Sequence, residues 1–585
     1  MSTSVTPAAR LAPAEPEPEV AAAGTRSKWL STLANVAVVL PLLALYGIFL
    51  FWPLISILLR SLDPLGEVSY TNPNFSFTNF TQVGTDSLLR IIELRTLRLA
   101  LYTTLITTVL GFPVAYLLSR MQPRRASLLL LGILVPFFVP TVVRLFSLTV
   151  LLSPDGVVNS FTDAIGLGKF PLLFNTTATV VGMTVYQLPV MILILYAGLS
   201  RIDTNLTLAA HTLGASPTRA FFTVYLPQAR PTVISGMLFT MVLSLSFFLV
   251  PSVLGGPRDQ TMSVFIQQQI ELFQWGQASA MGIVLLIITM IGYGLTLRLT
   301  GGATVGVPTS VAKGTSNREP LRGTPAVWSS RVVLVIVFVL LLAPVLVVFP
   351  LSIGTGQQVV FPPRGFTLTW FVEAFTGDVW IPAFTKSVIV GISTAVLSVA
   401  LALSLARTVQ RIRNRALRSI ILAVAFAPVI TPHILLAIGL YDVEIRLHLI
   451  GSNFGLIMAH TVIAFPLAFS IINSALAQSD ITLEQAAWTM GSSRTRTFWL
   501  IVVRSKLGSI VSAGLAAFMV SWDDVVIAQF QNGLSKTLPV VIYSYLDSGV
   551  VPTVPAISSM LVLLVIVGLV VSLVVGRVGA RRGPA

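Results

Sequence analysis

The residue types that most often carry out chemistry are sparse in this chain, and their spacing fits no common reaction. Its histidines lack the spacing of a metal-binding pair such as His-x-x-x-His: His211, His433, His448 and His460. A phosphate-binding Walker loop needs Gly-x-x-x-x-Gly-Lys-Ser/Thr, and the nearest approach is Gly168-Lys169 followed by Phe170. Cysteine is absent, which excludes thiolate chemistry. The sequence therefore predicts no catalytic residue, no metal and no cofactor.

A few charged residues lie in apolar surroundings. Asp523 and Asp524 occur inside the apolar segment 508–530, where Asp523 follows Lys506 by 17 residues, about 25 Å along a helix. Arg144 is placed similarly in another apolar segment. Charges at membrane depth are costly and usually face a protein interior or an aqueous path. We interpret the two aspartates as a site for a passing cation, with Arg144 as a structural ion-pair partner. The alternative is a helix-breaking or interhelical hydrogen-bonding role.

The composition identifies the elements that must position these residues. Of 585 residues, 55% are hydrophobic and only 10% are charged, against about 25% charged residues in soluble proteins. A membrane-spanning helix needs roughly 20 apolar residues, and about twelve such segments occur. The segments are 33–59, 98–119, 127–151, 177–199, 232–253, 279–297, 332–352, 384–406, 419–441, 454–476, 508–530 and 555–576. The predicted fold class is an all-α polytopic membrane protein in two pseudo-symmetric six-helix repeats.

Composition also divides the chain. Residues 1–30 are rich in Ala, Pro and Glu, which predicts a disordered tail before an uncleaved first span. Residues 300–330 are rich in Gly, Ser, Thr and Pro, which predicts a flexible linker. The linker separates a first half, 31–299, from a second half, 331–585.

The charge balance predicts an orientation. The chain has 37 Lys and Arg residues against 22 Asp and Glu, a formal net charge of +15. In a soluble protein such a balance would suggest a nucleic-acid partner, but most of these basic residues lie in segments on one side of the predicted membrane. The positive-inside rule then predicts a multi-pass protein of the plasma (inner) membrane, with both termini and the linker in the cytoplasm and no nucleic-acid partner.

Two loops, 201–231 and 478–506, repeat one another without gaps, and we call them the repeat loops. Gly214 aligns with Gly491, an offset of 277 residues, the difference between 491 and 214. The same offset aligns Ala209 and Ala210 with Ala486 and Ala487. Small residues on one face of a helix let another surface approach closely. The alternative, a surface helix lying at the membrane, is weakened because both halves carry the pattern.

The repeat loops resemble the signature loop of ABC importer permeases, which reads Glu-Ala-Ala, three residues, Gly, nine residues, Ile, one residue, Leu-Pro. The first loop supplies Ala209, Ala210, Gly214, Val224, Leu226 and Pro227, with Leu208 at the acidic position. The second supplies Glu484, Gln485, Ala486, Ala487, Gly491 and Ile501, with Val503 and Arg504 in place of Leu-Pro. Several other stretches resemble the polyamine (spermidine/putrescine) branch of this superfamily: 249–259, 266–271, 427–441, 521–533 and 537–563.

The resemblance implies a fused permease whose two loops form coupling helices that dock into an ABC ATPase dimer. It implies further that an extracytoplasmic binding protein delivers the cargo, a polyamine or related organic cation, across the lipid bilayer. Other cargoes of the superfamily are an aminophosphonate, ferric iron or thiamine. The rival class is a self-sufficient secondary transporter, which needs coupling-ion residues near mid-bilayer and no paired loops. A membrane-embedded enzyme is a weaker third possibility, because no acid–base pair or nucleophile is apparent.

Overall fold

The computed structural model describes residues 39–64, 75–299, 325–412, 414–479, 481–549 and 551–581. Within these ranges the regular structure is helical, and the described residues contain no strand. The predicted tail, 1–30, and most of the predicted linker, 300–330, lie outside the described residues. The prediction of an all-α membrane protein is confirmed.

The first half contains thirteen helices, α1 to α13. In chain order they are Val39–Leu62, Thr78–Thr85, Ser87–Arg120, Pro123–Leu134, Thr141–Leu152, Val157–Ala164, Thr176–Leu199, Thr204–Thr212, Pro217–Ala220, Leu226–Leu245, Leu249–Leu254, Met262–Glu271 and Trp275–Leu299. The second half contains α14 to α25. These are Pro325–Leu351, Thr369–Thr376, Trp380–Val409, Arg415–Ile430, His433–Arg446, Asn453–Ala477, Ile481–Thr489, Arg494–Thr497, Leu507–Asp523, Val526–Gln531, Leu538–Ser548 and Thr553–Arg581.

Eight described helices are long and apolar enough to cross a membrane, or ten if each of two bent helix pairs is one span. Every one of the predicted segments coincides with a helix or a broken pair of helices, although the last described apolar stretch, Thr553–Gly568, is short for a span. The two-repeat architecture is thus present, whereas the number of spans by length and composition is below twelve.

Four predicted spans are not continuous helices. The segments 127–151 and 419–441 each break before a new helix that begins directly after proline, Pro140 or Pro432. Proline lacks an N–H and clashes with the preceding turn, so it starts helices well and continues them poorly. In the second case the two helices meet at 96°. The prediction of single helices at these places is wrong.

The segments 232–253 and 508–530 also break, at corresponding places. Helix α10 ends at Leu245 and α11 covers Leu249–Leu254, while α22 ends at Asp523 and α23 covers Val526–Gln531. Adding 277 to the bounds of α11 gives those of α23. The repeat in the sequence is therefore a repeat in the backbone.

The first helix of each half packs on the other half. The N-terminal part of α1 belongs to the same buried cluster as α16, α19 and α22, and the hydroxyl of Tyr46 donates to the carbonyl of Ala425 at 3.1 Å. Helix α14 in turn packs against α3 and α5. Near the other end of α1, Arg60 forms an ion pair with Asp442 of α18. This exchange of helices ties the halves into one bundle.

The helical bundle has two ends. One carries the repeat loops, and we call it the loop face. The other carries the short helices α2, α11, α12, α15, α23 and α24, and we call it the opposite face.

Candidate functional site

The repeat loops share one backbone over residues 204–220 and 481–497, and they differ further along, where the second loop bends by 76° before Leu507. Helix α8 covers Thr204–Thr212 and α20 covers Ile481–Thr489, again 277 residues apart. Each ends before a glycine in the left-handed region, Gly214 at φ +84° and Gly491 at φ +86°. Glycine is favoured there because it has no Cβ to clash, and it terminates a helix cleanly. In each loop a serine side chain then caps the next short helix.

The predicted small residues lie on these helices at the surface. Ala209 and Ala486 are exposed, while Ala210 is half-buried and Ala487 is buried. The feature that sequence reasoning missed is the residue before each glycine. Leu213 is 88% exposed and Met490 is 81% exposed, at corresponding positions. Leu206 and Leu483 form a second exposed pair. Large apolar side chains left in solvent at matching places are typical of a protein interaction surface.

The acidic residue of the second loop faces a different neighbour. Glu484 is half-buried and acts electrostatically on Arg407, at the end of α16. The guanidinium of Arg407 lies 4.2 Å from the ring centroid of Phe498, further along the same loop. In the first loop the residue aligned with Glu484 is the buried Thr207. The two loops therefore share a backbone and an exposed surface but not the contacts beneath them.

Asp523 joins the two halves. Its carboxylate accepts hydrogen bonds from the backbone N–H of Thr141 at 2.5 Å and from the Thr141 hydroxyl at 2.7 Å. Thr141 is the first residue of α5, so the carboxylate lies at a helix N-terminus, where negative charge is favoured. Asp523 remains half-buried. A charged side chain thus closes a contact between the halves at the helix break.

Arg144 reaches this carboxylate through a shared hydroxyl. Its Nη2 donates to Oγ1 of Thr141 at 3.2 Å, and the same hydroxyl donates to Asp523. The guanidinium also lies 4.9 Å from the ring centroid of Tyr186, and the side chain is buried. Arg144 was predicted to form an ion pair with the aspartates, but its link to Asp523 is indirect and passes through the hydroxyl of Thr141.

Asp524 points elsewhere because the backbone leaves the helix between the two aspartates. Its carboxylate accepts a hydrogen bond at 2.9 Å from the backbone N–H of Ala528, in the first turn of α23. It also lies 3.3 Å from Nε2 of His460, whose Nδ1 is 2.7 Å from the Ser521 hydroxyl. Both Asp524 and His460 are buried. Asp524 caps a helix within its own half, which is the alternative role considered for it.

The described residues hold no cluster of three or more His, Asp or Glu side chains that would bind a metal ion. Lys169, in the stretch closest to a Walker loop, forms an ion pair within its own loop. Lys169 donates to Asp155 at 2.7 Å, and this hydrogen bond raises the pKa of the Lys169 amine. Both partners are exposed.

The chain matches one protein family twice. The model of the binding-protein-dependent transport system inner membrane component matches residues 107–300 and 398–581. One match lies in each half, and each includes one of the repeat loops.

Curated relatives correspond to one half of this chain. The spermidine/putrescine transport system permease protein PotB of Escherichia coli (strain K12) is 30% identical over 244 residues, 41% of this chain and 88% of that protein. The molybdenum transport system permease protein ModB of Azotobacter vinelandii is 32% identical over 186 residues, 31% of this chain and 81% of that protein.

A solved structure offers a distant likeness. It is the crystal structure of a bacterial ABC transporter involved in the import of the acidic polysaccharide alginate, with 19% identity and a TM-score of 0.38. The match covers 48% of this chain and 99% of that one.

The family matches cover more than half of the chain. The function of such a component is transport across the inner membrane, so the predictions of a multi-pass inner-membrane protein and of a non-enzymatic subunit are confirmed, and the secondary transporter is set aside. This chain belongs to the binding-protein-dependent transport system inner membrane components, the permease subunits of ABC importers.

Proposed function

We propose that this chain is a fused permease in which the halves 31–299 and 331–585 enclose one translocation path, driven by an ATPase dimer that docks on the two repeat loops. The observation that carries the docking is the matched exposure of Leu213 and Met490 beside Gly214 and Gly491. Two similar exposed surfaces can bind two copies of the same partner. The residues Ala209, Ala210, Ala486 and Ala487 provide close approach, and Glu484 supports the second loop from beneath.

The docking is tested by purifying the tagged chain and identifying the copurifying subunit by mass spectrometry as a Walker-motif ATPase. The wild-type complex is expected to hydrolyse ATP. The double variant Leu213→Ser/Met490→Ser is expected to lose most of that subunit, because the apolar contact area is replaced by hydroxyls. Leu534→Ser is the matched control, since Leu534 is fully exposed on the opposite face. If the double variant copurifies with as much ATPase subunit as the wild type, the docking proposal is refuted.

A more severe pair of substitutions tests the same loops through their backbone. Gly214→Glu and Gly491→Glu together place a charged side chain on a conformation that only glycine adopts easily. We expect the ATPase to be absent from the purified chain, while the chain itself still elutes as a single species. Retention of the ATPase would show that the loops are not the dock.

The orientation follows from the docking. Because ATP is cytoplasmic, the loop face would be cytoplasmic, with both termini and the linker 300–330 on the same side. A binding protein would then deliver cargo to the opposite face, in keeping with the family description. Protease added to sealed right-side-out vesicles should leave the repeat loops intact. Cleavage between 201 and 231 would reverse the assignment.

We propose a polyamine or related organic cation as the cargo, passing the half-buried carboxylate of Asp523. Arg144 and Asp524 hold this break in position, through Thr141 and Ala528 respectively. The similarity to PotB supports a polyamine, while the relative named for molybdenum shows that similar permeases carry other solutes. The alternatives therefore remain an aminophosphonate, ferric iron or thiamine.

The cation path is tested with Asp523→Asn in an intact complex. The amide keeps an acceptor for Thr141 but removes the charge, so we expect spermidine uptake to fall at least about tenfold while assembly is retained. Ser246→Ala, at the corresponding position in the first half, is the matched control and should transport normally. Wild-type uptake by Asp523→Asn would refute the role of this carboxylate.

A further inference from the structure

We propose that a cavity on the opposite face of the second half binds an alkylammonium ion. The cavity has a volume of about 350 Å³ and lies where α15, the start of α16, the end of α24 and the start of α25 meet. Its walls include three aromatic side chains, Trp370, Trp380 and Tyr545. This volume is within the range of small-molecule sites, which are typically about 300–1,000 Å³.

The aromatic walls are held in place by contacts of their own. The rings of Trp380 and Tyr545 stack with centroids 5.5 Å apart. The indole N–H of Trp370 donates to the carbonyl of Gly354 at 2.7 Å. A ligand therefore meets rings that are already ordered, and an organic cation is attracted to the electron-rich surface of such rings.

The charge of the lining selects a cation. Among the described residues that line the cavity, the charged one is Glu373, and its side chain is exposed. Gln357 adds an amide, and the described lining contains no Lys or Arg. A carboxylate beside aromatic rings, with alkyl groups of Val379 and Val551 nearby, matches an ammonium group attached to an aliphatic chain.

Two helix N-termini border the cavity, and these would ordinarily favour an anion. Here some of the N–H groups at these helix starts are absent or already donate to a carbonyl. In α16 the third residue is Pro382, which has no N–H, and Ala383 donates to the carbonyl of Val379. In α25 the third residue is Pro555, and the N–H of Val554 donates to the carbonyl of Val551. The nearest helix starts therefore oppose a cation only weakly.

The corresponding place in the first half is closed. Helix α2 begins at Thr78 and α15 at Thr369, an offset of 291, so Asn79 takes the position of Trp370. Asn79 is buried and donates to the carbonyls of Ser61 and Asp63. The neighbouring Trp275 carries the guanidinium of Arg60 at 4.7 Å from its ring centroid. In the described part of the first half, these contacts take the place of the aromatic wall. The proposed site does not require that the transported cargo be a cation.

The same ligand chemistry has two sources, a free alkylamine and the amine headgroup of a phospholipid. Helix α15 exposes Val372 and Phe375, which would reach apolar lipid beside the cavity. The shared feature is the ammonium group, and the choice of source is a matter for experiment.

Binding is measured on the full-length chain in detergent, without ATPase or binding protein, with carbon-14-labelled hexylammonium as the probe. We expect saturable binding that unlabelled hexylammonium displaces at least about tenfold better than hexan-1-ol, because only the amine carries charge. Glu373→Gln should weaken binding about tenfold, as expected for losing one charged partner. Displacement by hexan-1-ol at equal concentration, or no saturable binding, would overturn the proposal.

Control variants separate the cavity from general electrostatics and from misfolding. Asp378→Asn removes an exposed carboxylate from the turn between α15 and α16, a residue that does not line the cavity, and this variant should bind the probe normally. Tyr545→Phe should retain binding because the ring remains, while Tyr545→Leu should weaken it. Equal losses in Glu373→Gln and Asp378→Asn would contradict the site. Since no transport is measured, a failure here is distinct from a failure of the import proposal.

A second measurement identifies the source. The probe is titrated into wild type in nanodiscs of phosphatidylethanolamine and of phosphatidylglycerol. Lipid headgroup occupancy is supported if the probe binds more weakly in phosphatidylethanolamine than in phosphatidylglycerol and if Glu373→Gln abolishes this difference between the lipids. Equal affinity in both lipids supports a site for free alkylamines.

Discussion

The two halves share a backbone at the loop face but differ in chemistry at the helix break. Residue for residue, 277 positions apart, the segments 204–220 and 481–497 have the same helices, serine caps and left-handed glycines. At the break the first half has Ser246 and Phe247 where the second has Asp523 and Asp524. Under the proposed function, an ATPase dimer needs two equivalent docks, whereas a single path needs only one set of charges. The proposal thus accounts for both the shared loops and the unequal helix break.

The same break is produced by two different means. In the first half Pro251 has no N–H and disfavours the preceding turn, so the helix stops before Leu249. In the second half the corresponding residue is Ala528, whose N–H is taken by the carboxylate of Asp524. The missing N–H of Pro251 and the capped N–H of Ala528 therefore accompany the same helix break. Substitutions at these positions test how each half depends on its own contacts.

The largest effect is expected for Asp524→Ala. It leaves the N–H of Ala528 and the ring of His460 without their buried partner, and we expect a loss of about 3 kcal/mol in the free energy of unfolding. The measurement is thermal unfolding of the purified chain. Asp524→Asn keeps an acceptor and should lose less. An unchanged unfolding midpoint for Asp524→Ala would contradict the cap.

Asp523 and Thr141 should show coupling across the halves. We expect an interaction energy of about 1–2 kcal/mol in a double-mutant cycle of Asp523→Ala and Thr141→Val, because the hydroxyl of Thr141 donates directly to the carboxylate of Asp523. The quantity measured is the unfolding free energy of the wild type, both single variants and the double variant. Ser246→Ala combined with Thr141→Val is the control pair and should be additive.

Gly214→Ala and Gly491→Ala should destabilise their loops equally, each by about 1 kcal/mol, the cost of a Cβ in the left-handed conformation. A Cβ at either position meets no atom within 4 Å, so sterics beyond the backbone add nothing. Amide hydrogen exchange over 201–231 and 478–506 reports this local stability. A large difference between the two loops would show that the shared geometry has unequal support.

The smallest effect is expected for Lys169→Ala. The exposed pair with Asp155 exists only in the longer loop between α5 and α7 of the first half. The ion pair is formed at neutral pH, and it is lost as pH rises through the raised pKa of Lys169 or falls through the lowered pKa of Asp155. Because both side chains are exposed, the pair contributes little to stability. The unfolding midpoint of the variant should match wild type near pH 7 within error. A clear drop would show that the loop depends on this pair.

The repeat loops were predictable because their signal is local and occurs twice. Ala209, Gly214 and their counterparts stand in fixed register, and glycine at the end of a helix has one common use. The chain break at Asp523 was not predictable from periodicity, since it depends on a donor four residues further along and on Thr141 in the other half. Pro140 and Pro432 did carry a signal, and they mark two of the four places where a predicted span is broken. The alkylammonium cavity was invisible in the sequence because Trp370, Trp380 and Tyr545 lie far apart along the chain.

The exchange of first helices has a consequence for biosynthesis. The hydroxyl of Tyr46 in α1 donates to the carbonyl of Ala425, which is synthesised 379 residues later. At a synthesis rate of about 5–20 residues per second, that partner emerges roughly 20 to 75 seconds after α1 enters the membrane. During this interval α1 has only lipid, or a membrane insertase, to cover the surface it later buries. The order of translation therefore makes completion of the first helix's packing one of the last events of folding.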